Sequence, residues 1–137
     1  MKKLLLLAVV GLALVAGSAS GAVSSTASTR TYIDNCGKKA LHPAKIVIAC
    51  ADGNYYLKSL VWHHWGKRKA TASGVAMVND CKPNCAAGKF HSYSISAKAY
   101  RRRACKSHRV YRRLAVEYTH GTPKGIPNPD IIKLGCV

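Results

Sequence analysis

Six cysteines limit what this chain can fold into more than any other feature: Cys36, Cys50, Cys81, Cys85, Cys105 and Cys136. The chain has only 137 residues, room for one domain, and a domain this small buries a modest share of its surface. Cross-links are a common remedy, each long bridge adding about 2–4 kcal/mol by restricting the unfolded chain. An even number of cysteines suits three disulfides in an oxidising compartment. Many pairings are open, and the sequence does not choose among them. Local pairs are the expectation: Cys81 with Cys85, Cys36 with Cys50, and Cys105 with Cys136. Pro83 and Asn84 are turn formers and suit the first of these. The alternative is an S2N2 zinc set of Cys81, Cys85, His91 and a second histidine. No second close pair stands at finger-like spacing, so neither metal nor cofactor is expected.

The N-terminus supplies a reason to expect oxidation. Met1-Lys2-Lys3 is a positive start, residues 4–16 are apolar apart from Gly11, and residues 17–22 are all small. That is the plan of a secretory signal peptide, and the run falls short of the ~20 residues that span a membrane. Cleavage is expected near Ala22, with Ala19 the other candidate. No cysteine nearby would take a lipid anchor. Residues 23–31 read as a flexible Ser/Thr/Ala-rich leader, and residues 32–137 as a single disulfide-stapled domain. The expected location is secreted, or the exterior of the cell envelope.

Within that domain the periodicity is two, not 3.6. Residues 45–50 are a short β-branched run, and Asp52-Gly53-Asn54 marks a turn. Residues 55–65 carry apolar groups on both faces, the pattern of a central strand. A polar turn at 66–69 follows, and then Ala70, Ala72, Ala76 and Val78 alternate with polar residues. Tyr93, Ile95, Ala97 and Ala99 alternate with Ser92, Ser94, Ser96 and Lys98. Residues 101–108 read as a long basic turn. In residues 110–119, Val110, Leu114, Val116 and Tyr118 share a face. The tail from 121, with Pro123, Pro127 and Pro129, reads as irregular. The fold class expected is all-β, a small antiparallel β-sandwich or barrel stapled by disulfides.

One block is distinctive: Ala49-Cys50-Ala51-Asp52-Gly53-Asn54-Tyr55-Tyr56-Leu57, then Trp62-His63-His64-Trp65-Gly66, Ala70-Thr71-Ala72, and Asn79-Asp80-Cys81-Lys82-Pro83-Asn84-Cys85-Ala86-Ala87-Gly88. It resembles a family of small secreted, cysteine-containing actinobacterial proteins of unassigned function, over roughly residues 44–119. The resemblance implies export, a Cys81–Cys85 loop and a β-rich fold, and it lends no catalytic residues. The chain departs from the pattern in its basic stretch at 101–113 and in His63-His64.

Charge then narrows the function. Lysine and arginine number 22 against 5 acids, a formal charge of +17. Arg101, Arg102, Arg103, Lys106, Arg109, Arg112 and Arg113 crowd a single stretch flanked by Tyr100 and Tyr111. Like charges so close repel unless solvent or a polyanion screens them, and arginine grips phosphate, sulfate and carboxylate in a bidentate way. These seven residues are the candidate polyanion site. Its partners would be nucleic acid, teichoic acid, lipopolysaccharide or an acidic glycan, and the bland alternative is a solvated turn. Catalysis has little support. There is no Gly-x-Ser-x-Gly elbow, no phosphate-cradling glycine loop, and acids too sparse for a carboxylate pair. The rivals are a secreted phosphodiester hydrolase using His91 or His120 beside the arginines, and an envelope module that binds a protein partner. Trp62 and Trp65 read as core packing before they read as a ligand platform. The expectation is a non-enzymatic, exported basic domain.

Overall fold

The computed structural model describes residues 30–136; the expected signal peptide and most of the expected leader lie outside the described residues. Among the described residues there are eight strands and no helix: β1 Thr31–Asn35, β2 Lys38–Ala40, β3 Ile46–Val47, β4 Tyr55–Trp65, β5 Lys69–Asn79, β6 Phe90–Cys105, β7 His108–Tyr118 and β8 Asp130–Lys133. They form one curled sheet, a half-barrel, ordered β2-β1-β7-β6-β5-β4-β3 with β8 also on β7. Strands β4 to β7 are an antiparallel meander. The pair β1–β7 is parallel, through Thr31 opposite Arg109 and Tyr32 opposite Val110.

The inward face explains the curl. Ala70, Ala72 and Ala76 on β5 lie beside Ala97 and Ala99 on β6, all buried. Small side chains at the middle of the sheet leave room for it to bend around larger ones at its flanks. Leu57, Leu60, Leu114, Val116 and Tyr111 fill that space. Trp62 and Trp65 meet edge to face at 4.5 Å, and Trp65 meets Tyr111 at 5.6 Å.

Strand β4 departs from the central position expected of it. Its outer neighbour, β3, has only two residues, and beyond Lys58 a loop covers its edge: Leu60 N donates to Ala44 O, and Trp62 Nε1 to Pro43 O. The apparent second apolar face has a local cause. The pairing of β4 with β5 slips between Lys58 and Val61, and again between Trp62 and His64. Ser59 takes a left-handed φ of 52° at the first slip. Each bulge adds a residue and reverses the alternation, so Leu57, Leu60, Trp62 and Trp65 all turn inward. Gly74 lies opposite the first bulge, where a Cβ would come within 2.8 Å of Leu60 Cδ2 and 2.9 Å of Lys58 O.

The rims are closed by side chains imitating a strand. Asn35 Nδ2 donates to Lys45 O and its Oδ1 accepts Val47 N, joining β1 to β3. The Cys36–Cys50 disulfide holds the same rim. Asn128 does likewise for β7, bonding both N and O of Tyr118. All six cysteines pair as the local assignment expects: Cys36–Cys50, Cys81–Cys85 and Cys105–Cys136. Cys81 and Cys85 therefore offer no thiolate to a metal.

Three further expectations are corrected. The stretch 101–108 is no long turn: β6 runs on to Cys105, and the turn is only Lys106-Ser107. Cross-strand pairing with Val110 and Tyr111 carries the arginines into the sheet. The tail is not wholly irregular, because Ile131 and Ile132 pair with β7 as part of β8. Thr31, placed in the leader, opens β1 and is buried, its carbonyl accepting Trp65 Nε1 at 2.9 Å.

Candidate functional site

Antiparallel connections alternate between the two ends of a meander. One end of this sheet carries the β4–β5 and β6–β7 turns. The other carries the β3–β4, β5–β6 and β7–β8 connections. Four of the five acids follow that division; the fifth, Asp34 on β1, shares a small hollow with Lys133 and Gly135. Residues 62–79 and 97–116 contain no Asp or Glu, so the β4–β5 and β6–β7 hairpin ends carry no acid of their own. Asp52, Asp80, Glu117 and Asp130 lie at or next to the opposite end.

The seven predicted cations all sit on the β6–β7 hairpin, but the strands divide them. Arg101, Arg103, Lys106 and Arg109 are exposed; Arg102, Arg112 and Arg113 are half-buried. Neighbours on a strand leave on opposite sides, so Arg102 faces away from Arg103, and its Nε donates to Thr31 Oγ1 at 2.8 Å. The hairpin is anchored rather than loose. The Tyr111 hydroxyl donates to Gly66 O, tying it to the β4–β5 turn. Burial pushes the Tyr111 phenol above its ordinary pKa, against the opposing pull of Arg102 and the Gly66 bond. The Cys105–Cys136 disulfide pins the tip of β6. His108, at the start of β7, is buried against Tyr32, and its Nε2 has no hydrogen-bond partner among the described residues.

Strand register brings in cations that are far apart in sequence. Lys69 stands opposite Tyr100, Tyr100 opposite Arg113, and Arg113 opposite Lys133. One row across four strands thus carries three cations and a tyrosine. Beside it lies a hollow of about 650 Å³ lined by His64, Gly66, Lys67, Arg68, Lys69, Lys98 and Tyr100. The Lys98 ammonium sits 5.6 Å from the centre of the Tyr100 ring. Nothing in the linear charge pattern marks Lys69, Lys98 and Lys133 as neighbours; the pairing of residues 69–79 with 90–100 brings Lys69 and Lys98 together, and the pairing of β7 with β6 and β8 adds Lys133.

The carboxylates are engaged in building turns. Asp34 Oδ1 accepts Gly37 N, and Asp52 Oδ1 accepts Asn54 N. Asp80 accepts the amides of Lys82 and Lys89 and pairs with His91 Nε2 at 3.0 Å. The Lys89 amide first, then His91 and the Lys82 amide, hold the Asp80 carboxyl down at about 2. Asp130 accepts the Tyr55 hydroxyl, which also bonds the Tyr118 hydroxyl at 2.7 Å. Burial is the main cause pushing the Tyr55 and Tyr118 phenols upward.

The histidines do not gather around the arginines. His91 is the second residue of β6 and Arg101 lies ten residues on, about 30 Å away at the usual strand rise. His120 bonds Thr119 Oγ1 at that same remote end. His63 and His64, neighbours that a regular strand would send to opposite faces, both face outward, because the bulge between Trp62 and His64 reverses the alternation: His63 Nε2 bonds Ser73 Oγ at 2.8 Å, and His64 lines the basic hollow. Trp62 and Trp65 are half-buried against the core, and Trp65 also lines a small hollow with Arg30, His42 and Lys67. Among the described residues no helix is long and apolar enough to cross a membrane, and no three His, Cys, Asp or Glu side chains gather to hold a metal.

Against known proteins, the chain matches no family model, no curated protein and no solved structure. Its chemistry therefore rests on the site itself. The sheet end offers guanidinium and ammonium groups, and its β4–β5 and β6–β7 turns carry no carboxylate, which is an arrangement that attracts anions.

Proposed function

We propose that the protein is an exported, non-enzymatic domain that binds anionic polymers or surfaces at the cell envelope or outside the cell. The three disulfides support an oxidising destination, and the signal-like segment at 1–22 supports export. The observation that carries the binding reading is the basic end. Arg101, Arg103, Lys106 and Arg109 are exposed on the hairpin, beside the row Lys69–Tyr100–Arg113–Lys133 and the hollow at Lys67, Arg68 and Lys98. Nucleic acid, teichoic acid and acidic glycans all carry repeated anions that such a surface attracts. Binding through released counterions falls steeply with salt, the logarithmic slope growing by about 0.9 per contacted phosphate on duplex DNA.

Retention of the oxidised protein on immobilised heparin and on DNA, across a salt gradient, tests the proposal against a basic protein of similar charge. The protein is expected to elute at clearly higher salt than that control, and replacement of Arg101, Arg103, Lys106 and Arg109 by serine is expected to remove the difference. Co-elution with the control rejects the site.

A further inference from the structure

The outward face of the sheet is not uniformly basic. A trough of about 450 Å³ runs along β5 and β6, and its polar lining includes His63, Thr71, Ser73, Ser96, Lys98 and Glu117. Ser73 stands opposite Ser96, and Ser96 opposite Glu117. His63 bonds Ser73, and Ser96 Oγ reaches Glu117 Oε2 at 3.5 Å. Lys98 lines both this trough and the basic hollow. From the Ser73–Ser96 row to the Lys69–Tyr100 row is four residues of strand, about 13 Å. The face therefore runs from hydroxyls and one exposed carboxylate at one end to cations and a tyrosine at the other.

We infer that trough and hollow together take a saccharide chain bearing ester-linked oxyanions, sulfate or phosphate. This rests on the polyanion reading above and chooses among its ligands. Hydroxyl, imidazole and carboxylate groups on a flat strand surface exchange hydrogen bonds with sugar hydroxyls, while the hollow holds the charged substituent. Single-stranded nucleic acid fits less well. Its binding sites stack successive bases on aromatic side chains, and Tyr100 is the one Phe, Tyr or Trp among the residues lining these two depressions, where His63 is held to Ser73. Trp62, Trp65 and Tyr111 are committed to one another on the inward side. Glu117 sharpens the choice, because it accepts from a sugar hydroxyl and repels a continuous phosphate backbone.

The test is titration of the oxidised protein at about 0.15 M salt with four probes: a sulfated oligosaccharide, a phosphorylated oligosaccharide, the sulfated one after desulfation, and single-stranded DNA of matched charge. Binding is expected to one or both charged saccharides and to be weak for the other two. The Ser96→Val substitution keeps a strand-forming residue and fills the trough. It is expected to weaken saccharide binding about tenfold by removing a hydroxyl contact and obstructing the chain, and to leave DNA binding unchanged. Should Ser96→Val misfold, Glu117→Ala serves, with saccharide binding weakened and DNA binding strengthened. DNA bound as tightly as the charged saccharides, or trough variants without effect on them, overturns the saccharide assignment and leaves the polyanion reading standing. Failure of every charged probe to bind beyond a basic control protein overturns both.

Discussion

The two ends of this sheet use charge in opposite ways. At the end carrying the β5–β6 connection, carboxylates and amides build the loops. Asn79 Nδ2 reaches both Asn54 Oδ1 and Cys85 O, while its Oδ1 accepts Cys81 N. A Cβ on Gly88 would come within 2.1 Å of that Oδ1. Lysines there, such as Lys82 and Lys89, share the loop with Asp80. At the other end the turns are two or three residues long and contain no acid. Their shape comes from the strands themselves, from Tyr111 on Gly66 and from Cys105–Cys136. Charge is structural at the first end. At the second Arg102 ties the hairpin to Thr31, while Arg101, Arg103, Lys106 and Arg109 stand exposed to a ligand.

Each of three perturbations should separate the ends. The largest effect is expected from Tyr111→Ala. It empties a fully buried site and detaches the hairpin from the β4–β5 turn, at a cost of about 3–5 kcal/mol. Denaturant unfolding reads this, and a loss below 1 kcal/mol would mean that the basic end is held by something else. Next come the disulfides. Cys105→Ser with Cys136→Ser opens a loop with sequence separation 31, worth about 4 kcal/mol in the chain-entropy account. Cys81→Ser with Cys85→Ser opens one with separation 4, worth about 2 kcal/mol. Equal losses would show that the two staples are not doing length-dependent work.

The smallest effect is electrostatic and belongs to the loop-building end. The Asp80 carboxyl is held below its ordinary value, so its stabilising contribution is present above the unfolded pKa and is lost as pH falls from 3.8 through about 2. The amide resonances of Lys82 and Lys89 should titrate across that window while those of Lys67 and Lys106 stay still. Movement at both ends together would point to global acid unfolding instead.

Much of the inward face was legible in the sequence. The alternation of Ile95, Ala97 and Ala99 with serines, and of Leu114, Val116 and Tyr118 across from them, encodes β6 and β7 directly. Bulges are what hid β4. Ser59 takes a left-handed conformation without the glycine that usually announces one, and the visible half of the signal was Gly74 on the neighbouring strand. The basic hairpin was legible as charge and illegible as structure. Three consecutive arginines suggest a solvated loop, yet pairing with Val110 and Tyr111 outweighs that tendency. The hollow at Lys69, Lys98 and Tyr100 was not legible, because its members become neighbours only through register.

The central claim is that the basic end, and not total charge, binds anions. Two charge-matched variants test it most directly on a heparin salt gradient. One replaces Lys67, Lys69, Lys98 and Arg109 by serine; the other replaces Lys58, Lys82, Lys89 and Lys124. Both lose the same formal charge. The account predicts that the first elutes far earlier than the unmodified protein and the second close to it. Equal shifts in the two would contradict the account and make the charge a diffuse property of the whole surface.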